Sequence, residues 1–143
     1  AGGLYYMKEF GCPSNAIITP HPGEAAMLLD CSVEELQKNR LEAAKELYKR
    51  YNCLIILKGY QTIVFDGEAY QCTDGGPALS TAGTGDVLAG LIGSFLAQGL
   101  SKIDAARFSV AIHGAAGDKF SKNKRVRGLT ATKLIKVINE EML

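Results

Sequence analysis

The chain has 143 residues, 47% of them hydrophobic and 22% charged, with a formal net charge of +1. That length holds one domain around one core. The near-zero charge excludes a broad basic field for nucleic acid and an acidic field for cations, so any anion must be held locally by backbone amides and a few side chains.

The four cysteines, Cys12, Cys31, Cys53 and Cys72, contain no CxxC pair. Their spacing argues against a zinc or redox site and for four reduced thiols in a cytoplasmic protein. The start, Ala1-Gly2-Gly3-Leu4, lacks the basic and apolar regions of a signal peptide. No apolar run approaches the roughly 20 residues of a membrane span, so no membrane association is expected. The absence of an initial methionine fits a fragment or a processed product.

The elements are expected in this order. Leu4, Met7 and Phe10 repeat at helical spacing and predict a short helix over residues 4–10. Ala16-Ile17-Ile18-Thr19 reads as a short buried strand. Pro22 then suits the first turn of a helix over residues 22–29. Ser32 and Glu35 fit a capping box, and one helix is expected behind them to about Tyr51. Cys53-Leu54-Ile55-Ile56-Leu57 is a continuous apolar run, the pattern of a strand covered on both faces. Residues 62–65 and 68–71, joined by Asp66-Gly67, read as a hairpin with a two-residue turn. Residues 73–85 are rich in Gly, Thr and Ser and read as a loop.

An apolar helix is expected from about Asp86 to Gln98, ended by Gly99. Its small residues Ala89, Gly90 and Gly93 are expected to allow close packing. Ser101 caps another helix running through Ala105, Ala106, Val110, Ala111 and His113, and Thr130 caps a last one to about Met142. This order argues for an α/β fold with helices over a sheet.

Four segments could carry chemistry. In Gly83-Thr84-Gly85-Asp86, glycines let amides turn toward an anion, and a helix start adds unpaired donors and a positive dipole end. Asp86 could take a proton from a hydroxyl while those amides hold a phosphoryl group. The plain alternative is a helix cap, and the loop is not a Walker A motif, since GxxxxGK[ST] is absent.

The second segment, Lys58-Gly59-Tyr60-Gln61-Thr62, follows a buried strand and so lies at the carboxyl edge where α/β ligands bind. Lys58 could neutralise phosphate there, or simply leave the core for solvent. In the third, His21 sits between Pro20 and Pro22 at the same edge, with an extended backbone. That placement makes it a better ligand candidate than a lone histidine. Glu24 is favoured by the helix dipole in any case. The fourth segment, His113-Gly114-Ala115-Ala116-Gly117-Asp118, suggests close helix packing with a structural His113.

In this order the segments resemble the NAD(P)H-hydrate dehydratase family of the ribokinase-like superfamily. The resemblance is carried by Ile18-Thr19-Pro20-His21-Pro22-Gly23-Glu24, by Leu57-Lys58-Gly59 with Thr62, and by Ala82-Gly83-Thr84-Gly85-Asp86-Val87-Leu88-Ala89-Gly90. Ala97-Gln98-Gly99, Ala105-Ala106, His113-Gly114, Ala116-Gly117-Asp118 and Gly128-Leu129-Thr130-Ala131 also fit.

The resemblance implies a ribokinase-like three-layer sandwich, here a partial copy. Residues 1–143 would be one domain, the carboxyl-terminal part of a dehydratase domain. It implies that hydrated NAD(P)H is phosphorylated by ADP or ATP, with Mg2+, and then loses phosphate. Asp86 would be the catalytic base and a substrate contact, and His21 would touch the substrate. Lys58, Gly59, Tyr60, Gln61 and Thr62, with Gly83, Thr84 and Gly85, would bind the nucleotide. No protein side-chain metal site is expected.

Family members are about twice this length, and Asp74-Gly75-Gly76-Pro77-Ala78-Leu79 departs from their asparagine-containing loop. The expected partners are small-molecule nucleotides, with a second copy or a missing amino-terminal half. The alternatives are a small-molecule kinase of the same superfamily and an inactive nucleotide-binding half of a split enzyme.

Overall fold

A computed structural model describes residues 2–123 and 128–141. The expected start at Ala1 and the helix end at Met142 lie outside the described residues. The chain divides into two compact units, Ala1–Gln71 and Cys72–Leu143.

In the first unit, helix α1 (Gly2–Phe10) precedes strand β1 (Ile17–Ile18) and helix α2 (Pro22–Leu29). Helices α3 (Val33–Lys38) and α4 (Arg40–Tyr51) follow, then strands β2 (Leu54–Leu57), β3 (Ile63–Phe65) and β4 (Ala69–Gln71). The sheet order is β1-β2-β3-β4. β1 and β2 are parallel, with Ile18 beside Ile55, while β2, β3 and β4 are antiparallel. All four residues of β2 are buried, as the uninterrupted apolar run predicts. Ile55, Leu57, Ile63 and Phe65 form one core with Leu28 and Ala25 of α2 and with Ala44 and Leu47 of α4.

Two expectations are corrected here. The single helix behind Ser32 is two. The capping box forms, with the Ser32 amide donating to Glu35 Oε2 at 2.9 Å and the Glu35 amide to Ser32 Oγ at 3.2 Å. The helix then breaks at Asn39 (φ −146°, ψ 71°), whose side chain caps the next helix by accepting from the Glu42 amide. A short amide side chain competes with the helix's own bonds in this way, and leucine spacing does not register it. The hairpin turn holds three residues instead of two, since Phe65 pairs with Ala69. Gly67 takes φ +89° there, which suits a three-residue loop with a left-handed glycine.

In the second unit a 3-10 turn (Pro77–Leu79) precedes α5 (Thr84–Ala97), α6 (Lys102–Asn123) and α7 (Ala131–Glu141). Helix α5 begins two residues earlier than expected. Ser101 caps α6 through the Asp104 amide at 3.2 Å, and Thr130 caps α7 through Lys133 at 3.3 Å. Ala78, Ala116, Phe120, Leu129, Leu134 and Ile138 form one core cluster of this unit.

Among the described residues, the close packing expected of the small residues of α5 is not made by them. Ala89, Gly90 and Gly93 lie on its exposed side, and a Cβ at Gly90 or Gly93 would meet nothing within 4 Å. The residues that α5 buries are Thr84, Leu88 and Ile92, one stripe at a spacing of four. The small residues occupy the other side. In α6 the expectation holds: a Cβ at Gly114 would stand 2.8 Å from the Asp74 carbonyl oxygen, and one at Gly117 2.6 Å from Leu79 Cγ. All four cysteines are free thiols. No helix among the described residues is long and apolar enough to cross a membrane.

Candidate functional site

Two stretches of the first unit meet at the carboxyl ends of β1 and β2. The parallel pairing of these strands sets Pro20 beside Lys58, whose amide donates to the Pro20 carbonyl at 2.9 Å. His21 follows directly. The proline after it disfavours helical backbone, and His21 is extended at φ −78°, ψ 167°. Pro22 opens α2, where no amide hydrogen is needed.

His21 is itself the cap of α2. Its Nδ1 accepts from the Glu24 amide at 3.2 Å, and the Glu24 carboxylate accepts from the His21 amide at 2.8 Å. The acceptor role at Nδ1 puts the hydrogen of the neutral ring on Nε2, which lies 3.6 Å from Glu24 Oε2. Glu24 is buried, while His21 keeps over half of its side chain exposed. The carboxylate three residues after the cap completes this capping box.

The stretch Lys58–Thr62 is a short loop held from several directions. Thr62 Oγ1 donates to the Gly59 carbonyl at 3.1 Å, and Gln71 Nε2 on β4 donates to Gln61 Oε1 at 2.9 Å. Gly59 takes φ +136° and Gln61 takes φ +54°. Tyr60 is largely exposed and Lys58 partly so. The Lys58 ammonium has no ion-pair partner among the described residues.

Arg40, the first residue of α4, is a contact that sequence reasoning missed. Its Nη2 donates to the Leu57 carbonyl at 3.1 Å and the Lys58 carbonyl at 3.3 Å, and its Nη1 donates to Gln37 Oε1 at 3.1 Å. Burial lowers the pKa of this guanidinium from its ordinary value, but so basic a group keeps its charge.

In the second unit the loop into α5 turns on Gly83, which caps the helix at φ +85°, ψ −13° without any side-chain cap bond. Only glycine takes that conformation without strain. The amides of Asp86 and Val87 both donate to the Gly83 carbonyl at 3.2 Å. Those of Gly83 and Gly85 have no hydrogen-bond partner among the described residues, which leaves them able to face an anion.

Thr84 is buried, its hydroxyl within 2.6 Å of the Leu79 carbonyl and 2.8 Å of the Thr81 carbonyl. Its side chain is therefore committed to the loop's own backbone. Asp86, in the first turn of α5, is exposed and does not cap it. Nor does its carboxylate pair with any described residue. His113 of α6 meets the Thr84 carbonyl through Nε2 at 2.8 Å, which fits the structural role expected of it. Among the described residues there is no group of three or more metal-ligating side chains.

Comparison with known proteins assigns the chain to a family. The family model for NAD(P)H-hydrate dehydratase matches residues 1–140. The chain belongs to that family. It is 44% identical over 142 residues to the bifunctional NAD(P)H-hydrate repair enzyme Nnr of Vibrio cholerae, covering 98% of this chain and 29% of that protein.

A crystallised ADP/ATP-dependent NAD(P)H-hydrate dehydratase from Bacillus subtilis, grown with ATP and Mg2+, superimposes with a TM-score of 0.83 at 35% identity, over 87% of this chain and 47% of that one. A ribokinase-like superfamily protein from Enterococcus faecalis gives the same TM-score at 28% identity, over 96% and 49%. The fold is therefore the ribokinase-like α/β fold. The chain spans less than a third of the Vibrio relative and just under half of the two crystallised ones.

Proposed function

We propose that this chain is the carboxyl-terminal part of a dehydratase domain that restores hydrated NAD(P)H, with ADP or ATP as phosphoryl donor. The observation that carries the reading is the loop Gly83-Thr84-Gly85 ahead of Asp86. Two unpaired amides at a helix start sit beside a carboxylate free to act. Family membership supplies the reaction class.

The amides of Gly83 and Gly85 hold the transferred phosphoryl group. Asp86 accepts the proton of the hydrate hydroxyl, whose oxygen attacks the terminal phosphorus. That oxygen–phosphorus bond forms as the donor's terminal bridging bond breaks, releasing AMP from ADP or ADP from ATP. The carbon–oxygen bond then breaks with its electrons leaving on phosphate, pushed by the ring nitrogen's lone pair. Loss of a ring proton restores NAD(P)H.

Lys58, Gly59, Tyr60, Gln61 and Thr62 line the nucleotide phosphates, and His21 touches the hydrate. Magnesium would enter with the nucleotide and neutralise phosphate charge. We place the protein in the cytoplasm. The remainder of the domain, or a second copy, would associate along β1, where Tyr6, Phe10 and Ile17 line an apolar cleft.

The test supplies NADH hydrate, Mg2+ and either nucleotide, and follows the return of reduced-nicotinamide absorbance. Recovery supports the proposal. No recovery with either nucleotide, from a protein that carries this chain together with an amino-terminal half, overturns it. A stable phosphorylated product without NADH would indicate a small-molecule kinase instead. ADP binding with turnover appearing only on addition of an amino-terminal half would mark half of a split enzyme.

A further inference from the structure

We infer that Arg40 is a positioning residue for the nucleotide loop: its guanidinium occupies the space that the missing side chain of Gly59 leaves open, and there it grips the carbonyls of Leu57 and Lys58. The inference rests on the reading of Lys58–Thr62 as the nucleotide-phosphate loop and names what gives that loop its shape.

Three observations converge on it. First, the two Nη2 contacts, at 3.1 and 3.3 Å, join the last residue of β2 to the first residue of the loop. Bonds from a charged donor are stronger than neutral ones and fix direction as well as distance. Second, a Cβ on Gly59 would lie 2.5 Å from Arg40 Nη1, and Gly59 has φ +136°. The backbone conformation favours glycine, and any side chain there would push the guanidinium aside. Third, Arg40 reaches this place because the chain breaks at Asn39 and restarts α4 on Arg40 itself. Gln37, the next-to-last residue of α3, steadies the other end of the guanidinium at 3.1 Å.

No described carboxylate is paired with Arg40, so its charge stays available to the loop. The outward parts of that loop, the Lys58 ammonium and the Tyr60 ring, depend on a backbone that Arg40 holds at its entry, on the carbonyls of Leu57 and Lys58. Moving Lys58 by a fraction of an ångström changes its reach to a phosphate, and geometry of that order governs binding in a preorganised site.

The experiment uses the chain with Arg40→Met, Arg40→Lys and Gly59→Ala. Methionine keeps an apolar stem without the charge. Lysine keeps the charge but is one atom too short to reach both carbonyls. Alanine at position 59 keeps Arg40 but displaces it. Two quantities are read: the rate of trypsin cleavage at Lys58-Gly59 under native conditions, relative to cleavage elsewhere, and the Kd for ADP with Mg2+ by calorimetry.

All three variants are expected to speed cleavage at Lys58 and to weaken ADP by about tenfold or more, the scale of lost charge-assisted hydrogen bonds. Unchanged cleavage in Arg40→Met overturns the clamp. Faster cleavage with unchanged ADP affinity overturns its role in the nucleotide site. Arg40→Lys matching the unsubstituted chain in both measurements shows that charge alone suffices, and overturns positioning. If Arg40→Met does not fold, Arg40→Lys and Gly59→Ala decide. Failure of the unsubstituted chain to bind ADP or ATP is a separate outcome that strikes the nucleotide reading itself.

Discussion

Helices α5 and α6 of the second unit are both rich in small residues, and they use them in opposite ways. In α6, Gly114 and Gly117 let the helix touch the Asp74 backbone and the Leu79 side chain at distances that any Cβ would violate. In α5, Gly90 and Gly93 face open space, on the same exposed side as Asp86 and Ala89. A small residue in a helix thus marks either a contact already made or a face left open, and composition does not distinguish the two. Here the open face runs away from the one carboxylate that the proposed chemistry needs.

The largest effect expected on this comparison is at the head of the open face. Asp86→Asn should lower dehydratase turnover by about 100- to 10,000-fold, the usual weight of a general base. Calorimetry should find ADP affinity little changed. Turnover within a few-fold of the parent protein would remove Asp86 from its role.

On the closed helix, Gly117→Val should destabilise by about 1–3 kcal/mol through overpacking against Leu79, read as a lower denaturation midpoint. Gly90→Ala on the open helix should do the reverse, raising stability by about 0.5–1 kcal/mol, because alanine is the better helix former and meets nothing there. If that substitution destabilised the chain, the α5 face would have to be covered.

The smallest effect is at Cys72, which lies against α6 through the Val110 carbonyl at 3.8 Å. Burial pushes its thiol above the ordinary value, and the nearby Asp74 and Asp118 charges add to this while a backbone hydrogen bond opposes it. A raised acid is held neutral in the folded state. Its contribution to stability is therefore full below the unfolded thiol's pKa and is lost as pH climbs through the folded value. Cys72→Ala should flatten the alkaline limb of the stability curve, and thiol reagents should modify Cys12 and Cys31 before Cys72.

Much of this was legible in the chain itself. The apolar run at Leu54–Leu57 and the Ser32 capping box each depend on neighbours within a few positions, and each appears where expected, whereas α5 starts at Thr84, two residues ahead of the expected Asp86. The Asn39 break was not legible, because leucine spacing continues across it and only the asparagine side chain competes with the helix. His21 was legible as an edge residue but not as a cap, since imidazole is an uncommon partner for a capping box. Arg40 was not legible at all. It lies 17 and 18 positions from the two carbonyls that it holds, and nothing in the spacing of charges predicts that contact.

The amino-acid sequence alone determined the element order, the family and the segments that could carry chemistry, because these follow from short-range patterns of side-chain type and backbone freedom. Only the tertiary structure decided which glycines are occupied by a neighbour and which stand open. It also decided that Thr84 spends its hydroxyl on its own loop, and that a guanidinium from α4 seats the Lys58 loop. Each of these depends on side chains brought together by packing, and packing is a property of the folded chain that no local window contains.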